Sequence, residues 1–320
     1  MLKTFNEVSE MIESGKLLHI AATEALIRKL PKGKWVGGST EYFMAEGGGK
    51  VTGEFLFVTE FPYKNFSIKT YDVSNVKNVT QDAFENGFSI LLIPFDSAIH
   101  KEYAQNAANF DGMFVKNIVG WITGLNLGID GQTPIAVDGL SRSALTDKAV
   151  ALHLEVPQNK MVSVNIVNIF TQDENSPVIE FKEEGFSVKN CFINGKETIL
   201  AKYIEENGID TKLPIVGDYS GNGVNVSFKS IENGVVNLYA PVFSGIQYKI
   251  ANKISNYEKV FNERLFALKG TESLFSCNCI LNFLYGELEG KHIDAFAGPI
   301  TFGEIAYQLV NQTLVYVTVS

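Results

Sequence analysis

The chain has 320 residues, 45% of them hydrophobic and 20% charged, with a net charge of −9. That composition supports a sizeable folded core and excludes a disordered chain. The acidic balance sets aside nucleic acid and anionic membrane as main partners, because both select a basic face.

In chain order, the spacing of Val8, Met11 and Ile12 predicts a helix over residues 5–16. A second helix is expected over 21–29, before a turn at 31–34. Trp35-Val36-Gly37-Gly38 reads as a short strand entering a tight turn. Alternation predicts strands over 51–59 and 66–73, and Gly47-Gly48-Gly49 reads as a hairpin connection. A short helix is expected over 82–86. The apolar run 88–94 reads as a buried strand. Residues 97–109 form the next expected helix, with Ile99, Tyr103 and Ala107 on one face. Strands at 115–122 and 148–156 flank a turn-rich loop over 128–139. Residues 157–160 are the expected boundary between halves at 1–157 and 158–320.

The second half opens with a strand over 161–170 and short strands at 178–181 and 186–188. Asn194-Gly195 and Asn233-Gly234 are hairpin signals. A helix over 199–207 is closed by Gly208, and another is expected over 257–268. Strands are predicted at 274–275, 280–285, 301–305 and 314–319. Hairpins interspersed with helices predict an α+β fold: two α/β halves with mixed, mostly antiparallel sheets flanked by helices. No run of 18 apolar residues predicts a transmembrane helix, and residues 1–7 show no apolar leader. Three cysteines make no disulfide framework, so a cytoplasmic location is expected.

The last fifty residues hold Phe275-Ser276-Cys277, then Gly298-Pro299-Ile300-Thr301-Phe302-Gly303-Glu304-Ile305, then Asn311-Gln312-Thr313 before the final strand. This order resembles the C-terminal part of FIST sensory domains: F-S-C, a G-(Y/F)-x-T-(Y/F)-G-E-I-like turn, and N-x-T. Trp35-Val36-Gly37-Gly38-Ser39-Thr40 with Gly53-Glu54 resembles the N-terminal part, here with a longer interval between the two motifs. Val119-Gly120, Asp130-Gly131 and 147–150 are similar to its second glycine-rich loop and returning strand. Glu180-Phe181 and Tyr203-Ile204-Glu205 are similar to the start of the C-terminal half. The resemblance implies a ligand sensor with N-like and C-like halves. Its ligand would be an amino acid or similar polar metabolite, held in a cleft between the halves, near the Gly37–Thr40 loop and the Cys277/Glu304 region. No output domain follows in the chain, so a separate signalling protein would carry the response. Haem is a further ligand the resemblance suggests.

The residues themselves leave alternatives at each site. Gly37, Gly38, Ser39 and Thr40 place backbone N–H groups and two hydroxyls where an anionic group could sit, or form a corner needing positive φ. The segment lacks the Gly-Lys-Ser/Thr ending of a P-loop, and no GxGxxG appears. Cys277 and Cys279 flank Asn278 and fall on one strand face, as metal or redox thiols or as small hydrophobes. A cysteine-dependent hydrolase or transferase using Cys277 is the alternative function, with His292 the nearest histidine in sequence. Phe302-Gly303-Glu304 offers a carboxylate to a ligand amino group, or one satisfied by local donors. Asn311 and Thr313 complete that cluster or cap the last strand. The four histidines show no ligand spacing and no C-x-x-C-H is present, so a haem axial ligand would come from an isolated His or Cys. Residues 218–223 lack the calcium-loop pattern and read as an ordinary loop. Residues 239–245 offer aromatic walls or a bent edge strand, since Pro241 disfavours a central one.

Overall fold

The computed structural model describes residues 1–219, 221–266, 268, 270–291 and 296–320. The chain is α+β, with four six-stranded sheets, a three-stranded sheet and few helices among the described residues. It divides into two compact units. The first holds Met1–Val167, Asn262–Leu309 and Thr313–Ser320; the second holds Asn168–Phe261 and Val310–Gln312. The expected boundary at 157/158 falls on the turn between the strands Ala149–Glu155 and Val162–Val167. The compact units are drawn otherwise, because Val162–Val167 and Phe275–Cys279 both pair with Leu314–Val319 in one sheet.

The first unit is organised by three parallel strand pairs, each joined through a helix. Leu17–Ala22 pairs with Trp35–Ser39 across the helix Glu24–Ile27. Gly87–Pro94 pairs with Asn117–Thr123 across Ala98–Asn106. Phe275–Cys279 pairs with Gly298–Thr301 across Ile280–Tyr285. Parallel neighbours require such a crossover, whereas antiparallel neighbours can be joined by a short turn. Gly48–Val51 returns on Tyr42–Ala45 as such a hairpin, as expected for the glycine run.

Two departures from expectation share one cause. Leu17–Ala22 is a strand where a helix beginning at 21 was expected, and Ile280–Tyr285 is a helix where a strand was expected. Both runs are apolar nearly throughout, and periodicity cannot separate a strand buried on both faces from a buried helix. All six residues of Leu17–Ala22 are buried between Leu56–Phe61 and Trp35–Ser39. The helix then starts at Thr23, whose side chain accepts a hydrogen bond from the Leu26 N–H. The first helix, Phe5–Glu13, is fixed by a reciprocal Thr4–Glu7 capping box, and it turns Val8 and Ile12 into a core with Leu18, Ile20, Trp35 and Val58.

In the second unit the Asn-Gly pairs form hairpin turns, Asn194 and Gly195 at φ 49° and 78°, Asn233 and Gly234 at 51° and 77°. Pro241 lies in Val235–Val242, the middle strand of the three-stranded sheet. This corrects the edge-strand expectation. Register shifts on both sides of that strand leave the proline outside the paired positions. Asp218 and Tyr219 pair with Gly223 and Asn222 at the end of a hairpin between Ile215–Tyr219 and Asn222–Val226, and Ser220 lies outside the described residues.

Candidate functional site

Gly37, Gly38 and Ser39 end a strand that is paired on both edges, parallel to Leu17–Ala22 and antiparallel to Ala136–Asp138. The Ser39 N–H donates to the Ile135 carbonyl at 3.0 Å, and the Thr40 N–H to the Ala22 carbonyl at 2.9 Å. These donors are therefore spent inside the fold, and the anion nest expected here is not formed. Neither glycine has positive φ, so the corner reading also fails. Glycine is required by close approach. A Cβ at Gly37 would stand 2.6 Å from the Ile20 carbonyl oxygen, and one at Gly38 2.7 Å from the Trp121 ring. The small residues let the two parallel pairs pack face to face.

A pocket of about 260 Å³ opens where these strands end. Thr23, Glu24 and Ala25 follow the strand Leu17–Ala22; Ser39, Thr40 and Glu41 close and follow Trp35–Ser39; Gly124 and Leu125 follow Asn117–Thr123. Gly53, Gln132 and Thr133 complete the wall. The carboxyl ends of parallel strands are where open α/β sheets leave a crevice for ligands. The two hydroxyls build the wall instead of facing a ligand. Ser39 Oγ donates to the Gly124 carbonyl at 2.7 Å and accepts from the Ile135 N–H at 2.9 Å. Thr40 Oγ1 donates to the Ile300 carbonyl at 2.8 Å and accepts from the Tyr42 N–H at 3.3 Å. The carboxylate of Glu41 is held by Asn126 Nδ2 at 2.7 Å and Gln132 Nε2 at 3.4 Å. Glu24 is paired with Arg28 at 2.7 Å.

The Cys277/Glu304 region is a separate, wholly buried cluster. Glu304 accepts from Thr301 Oγ1 at 2.7 Å, from Thr313 Oγ1 at 2.9 Å and N–H at 3.4 Å, and from the Cys279 thiol. Its carboxyl is thus satisfied by neighbours, and of the two readings of Thr313 the structure takes the one that joins it to the cluster. Burial pushes the Glu304 carboxyl up to about 8, against those hydrogen bonds, which favour the ionised form. Cys277 donates to the Gly120 carbonyl at 3.4 Å. Burial, with Glu304 and Cys279 beside it, pushes its thiol well above the ordinary range. A nucleophilic cysteine needs the opposite shift, so the geometry runs against a Cys277-dependent hydrolase or transferase. Asn278 Oδ1 accepts from Asn282 at 2.8 Å, while Asn278 Nδ2 has no hydrogen-bond partner among the described residues. Phe302 packs over Gly124 and edge-on to Phe95, backing the pocket wall, with Gly303 turning the chain at φ 146°. Asn311 belongs to the second unit, where its Oδ1 accepts from Ser227 Oγ at 2.7 Å and from the Ser227 N–H.

A polar chain with no sequence signal runs through the first unit. Lys69 is bonded to Asp82, Asp82 accepts from Tyr71 at 2.8 Å, Tyr71 lies 2.9 Å from His153 Nε2, and Ser89 lies 2.7 Å from His153 Nδ1. Because the tyrosine proton goes to Asp82, Nε2–H of His153 donates to Tyr71, and Nδ1 accepts from Ser89. Burial pushes His153 down to about 4. His19 Nε2 accepts from Trp121 at 2.9 Å, and burial, with the N-terminal ammonium, pushes it to about 3. These ring nitrogens serve the core rather than an open axial position. His292 lies outside the described residues. Among the described residues, no group of three or more His, Cys, Asp or Glu is arranged to hold a metal, and no helix is long and apolar enough to cross a membrane.

The chain belongs to a family of unknown function, DUF6976, whose model matches residues 3–320. No curated protein and no solved structure matches it.

Proposed function

We propose that this protein binds a small polar metabolite in the Ser39–Thr40 pocket and acts as a sensory module for a separate signalling partner. The observation that carries the binding half is the position of the pocket, at the carboxyl ends of parallel strands from two strand–helix–strand units. A volume of about 260 Å³ suits a ligand of amino-acid size. The sensory half rests on the order of motifs shared with FIST sensory domains. Ser39 and Thr40 enter that reading as builders of the wall, and Phe302, packed over Gly124, as its backing.

The test is a thermal-shift screen of the full chain against amino acids, amines, sugars, nucleotides, haem and divalent metals, run beside Gly53→Trp. A Cβ at Gly53 meets only Thr23 Cγ2, at 3.6 Å, so the substitution fits at the backbone and fills the pocket beyond it. A ligand at 100 times its dissociation constant stabilises by about 2.7 kcal/mol. A shift abolished by Gly53→Trp supports the site. A shift that survives the substitution moves the site elsewhere, and silence from every class sinks the binding reading.

A further inference from the structure

The chemistry of the wall narrows the ligand beyond its size. The pocket lining contains two carboxylates, Glu24 and Glu41, and no lysine, arginine or histidine. Glu24 is neutralised by Arg28 one helical turn away. Glu41 has no ion-pair partner among the described residues and is held by two neutral amides, Asn126 and Gln132. Asn126 is fixed in turn, since its N–H donates to Gln132 Oε1 at 2.7 Å. A carboxylate offers about four acceptor positions, and the two amides occupy one on each oxygen. The remaining positions are pre-set for a further donor, and charge favours a cationic one.

The same lining offers nothing that would neutralise a ligand carboxylate. An α-amino acid brings one, and desolvating it beside Glu41 is unfavourable. Building on the pocket reading above, we infer that the site takes a small hydroxylated primary amine without a carboxylate, its ammonium on Glu41 and its hydroxyls toward Gln132 and Thr133. Glu41 is then the residue that sets specificity, and Asn126 and Gln132 position it. A divalent cation is the poorer occupant, since such ions take six or more oxygen ligands and only one unneutralised carboxylate lines the cavity.

Four probes of similar size separate the charge types: ethanolamine, serine, ethylene glycol and glycolate, each titrated by calorimetry into the full chain. Ethanolamine is expected to bind about tenfold or more tighter than the other three, the margin of a charge-assisted hydrogen bond over a neutral one. That preference should fall to near unity in Glu41→Gln and survive in Glu24→Gln. If Glu41→Gln does not fold, Glu41→Asp withdraws the carboxylate by one methylene and should erode the same preference. Serine or glycolate binding as tightly as ethanolamine would overturn the amine assignment while leaving the pocket reading in place. Failure of all four also overturns it, and the pocket reading falls with it only if the broad screen is silent too.

Discussion

Ser39 and Gly124 exchange two hydrogen bonds, the Gly124 N–H to the Ser39 carbonyl and the Ser39 hydroxyl to the Gly124 carbonyl, both at 2.7 Å. Ser39 also bonds Ile135 through its N–H and its Oγ, so one serine ties both ends of the segment 124–135 that walls the pocket. Ser39→Ala removes the two side-chain bonds and leaves a carbonyl and an N–H buried without them. The expected loss is about 2–6 kcal/mol, at roughly 1–3 for each unsatisfied group. Urea unfolding measures it, and a loss near zero would mean that water or a shifted loop replaces the serine.

Gly37→Ala is expected to be more damaging than Gly38→Ala. The new methyl at Gly37 meets the backbone oxygen of Ile20, which cannot move without distorting the parallel pair. At Gly38 the obstacles are the side chains of Trp121 and Thr123, whose displacement would leave the strand pairing intact. Overpacking of this kind costs about 1–3 kcal/mol, and the backbone clash belongs at the upper end or beyond. Equal melting temperatures for the two variants would contradict the ranking.

Much of the fold was legible where one signal had one reading. Asn194-Gly195 and Asn233-Gly234 specify turns through their positive φ, and the spacing of Val8, Met11 and Ile12 marks the first helix. The runs at 17–22 and 280–285 were not legible, because burial on all sides erases periodicity in helix and strand alike. Around the candidate pocket, Gly37-Gly38-Ser39-Thr40 offered a nest or a positive-φ corner, and the strand forms neither. Glycine there answers to Trp121, 83 residues in sequence from the Gly38 it crowds, and to Ile20, 17 residues from Gly37. Glu41, Asn126 and Gln132 were not singled out, since each is an ordinary polar residue until the strand ends bring them to one carboxylate.

The Ser89–His153–Tyr71–Asp82 chain shows the same limit, with four residues at unrelated spacings joined only by neighbouring strands and a short helix. Its hydrogen-bond directions predict a neutral His153 carrying its proton on Nε2. Nitrogen chemical shifts should report that tautomer unchanged from pH 8 to 5.5, because burial holds His153 near 4. Tyr71→Phe removes the acceptor of a buried N–H and should cost about 1–3 kcal/mol. A histidine that titrates near 6.5 would refute the assignment.

Glu304 makes the stability of the fold depend on pH in an unusual direction. Its carboxyl binds its proton more tightly folded, near 8, than unfolded, near the ordinary 4.5. Between those values the native state holds more protons than the unfolded one, so stability falls as pH rises from 4.5 to 8 and levels off above. His19 and His153 act oppositely. Their folded values near 3 and 4 lie below the ordinary 6.5, so they withdraw stability as pH falls below 6.5. Glu304→Gln isolates the first effect, since glutamine keeps the volume and one acceptor oxygen, for Thr301 or for Thr313, without ionising. The variant should gain on the parent by about 3–5 kcal/mol between pH 5 and pH 9, at about 1.4 kcal/mol per pKa unit. Urea midpoints across that range supply the comparison. A constant difference between the two proteins would mean that Glu304 is ionised throughout, and the cluster around it would then have to supply a compensating charge.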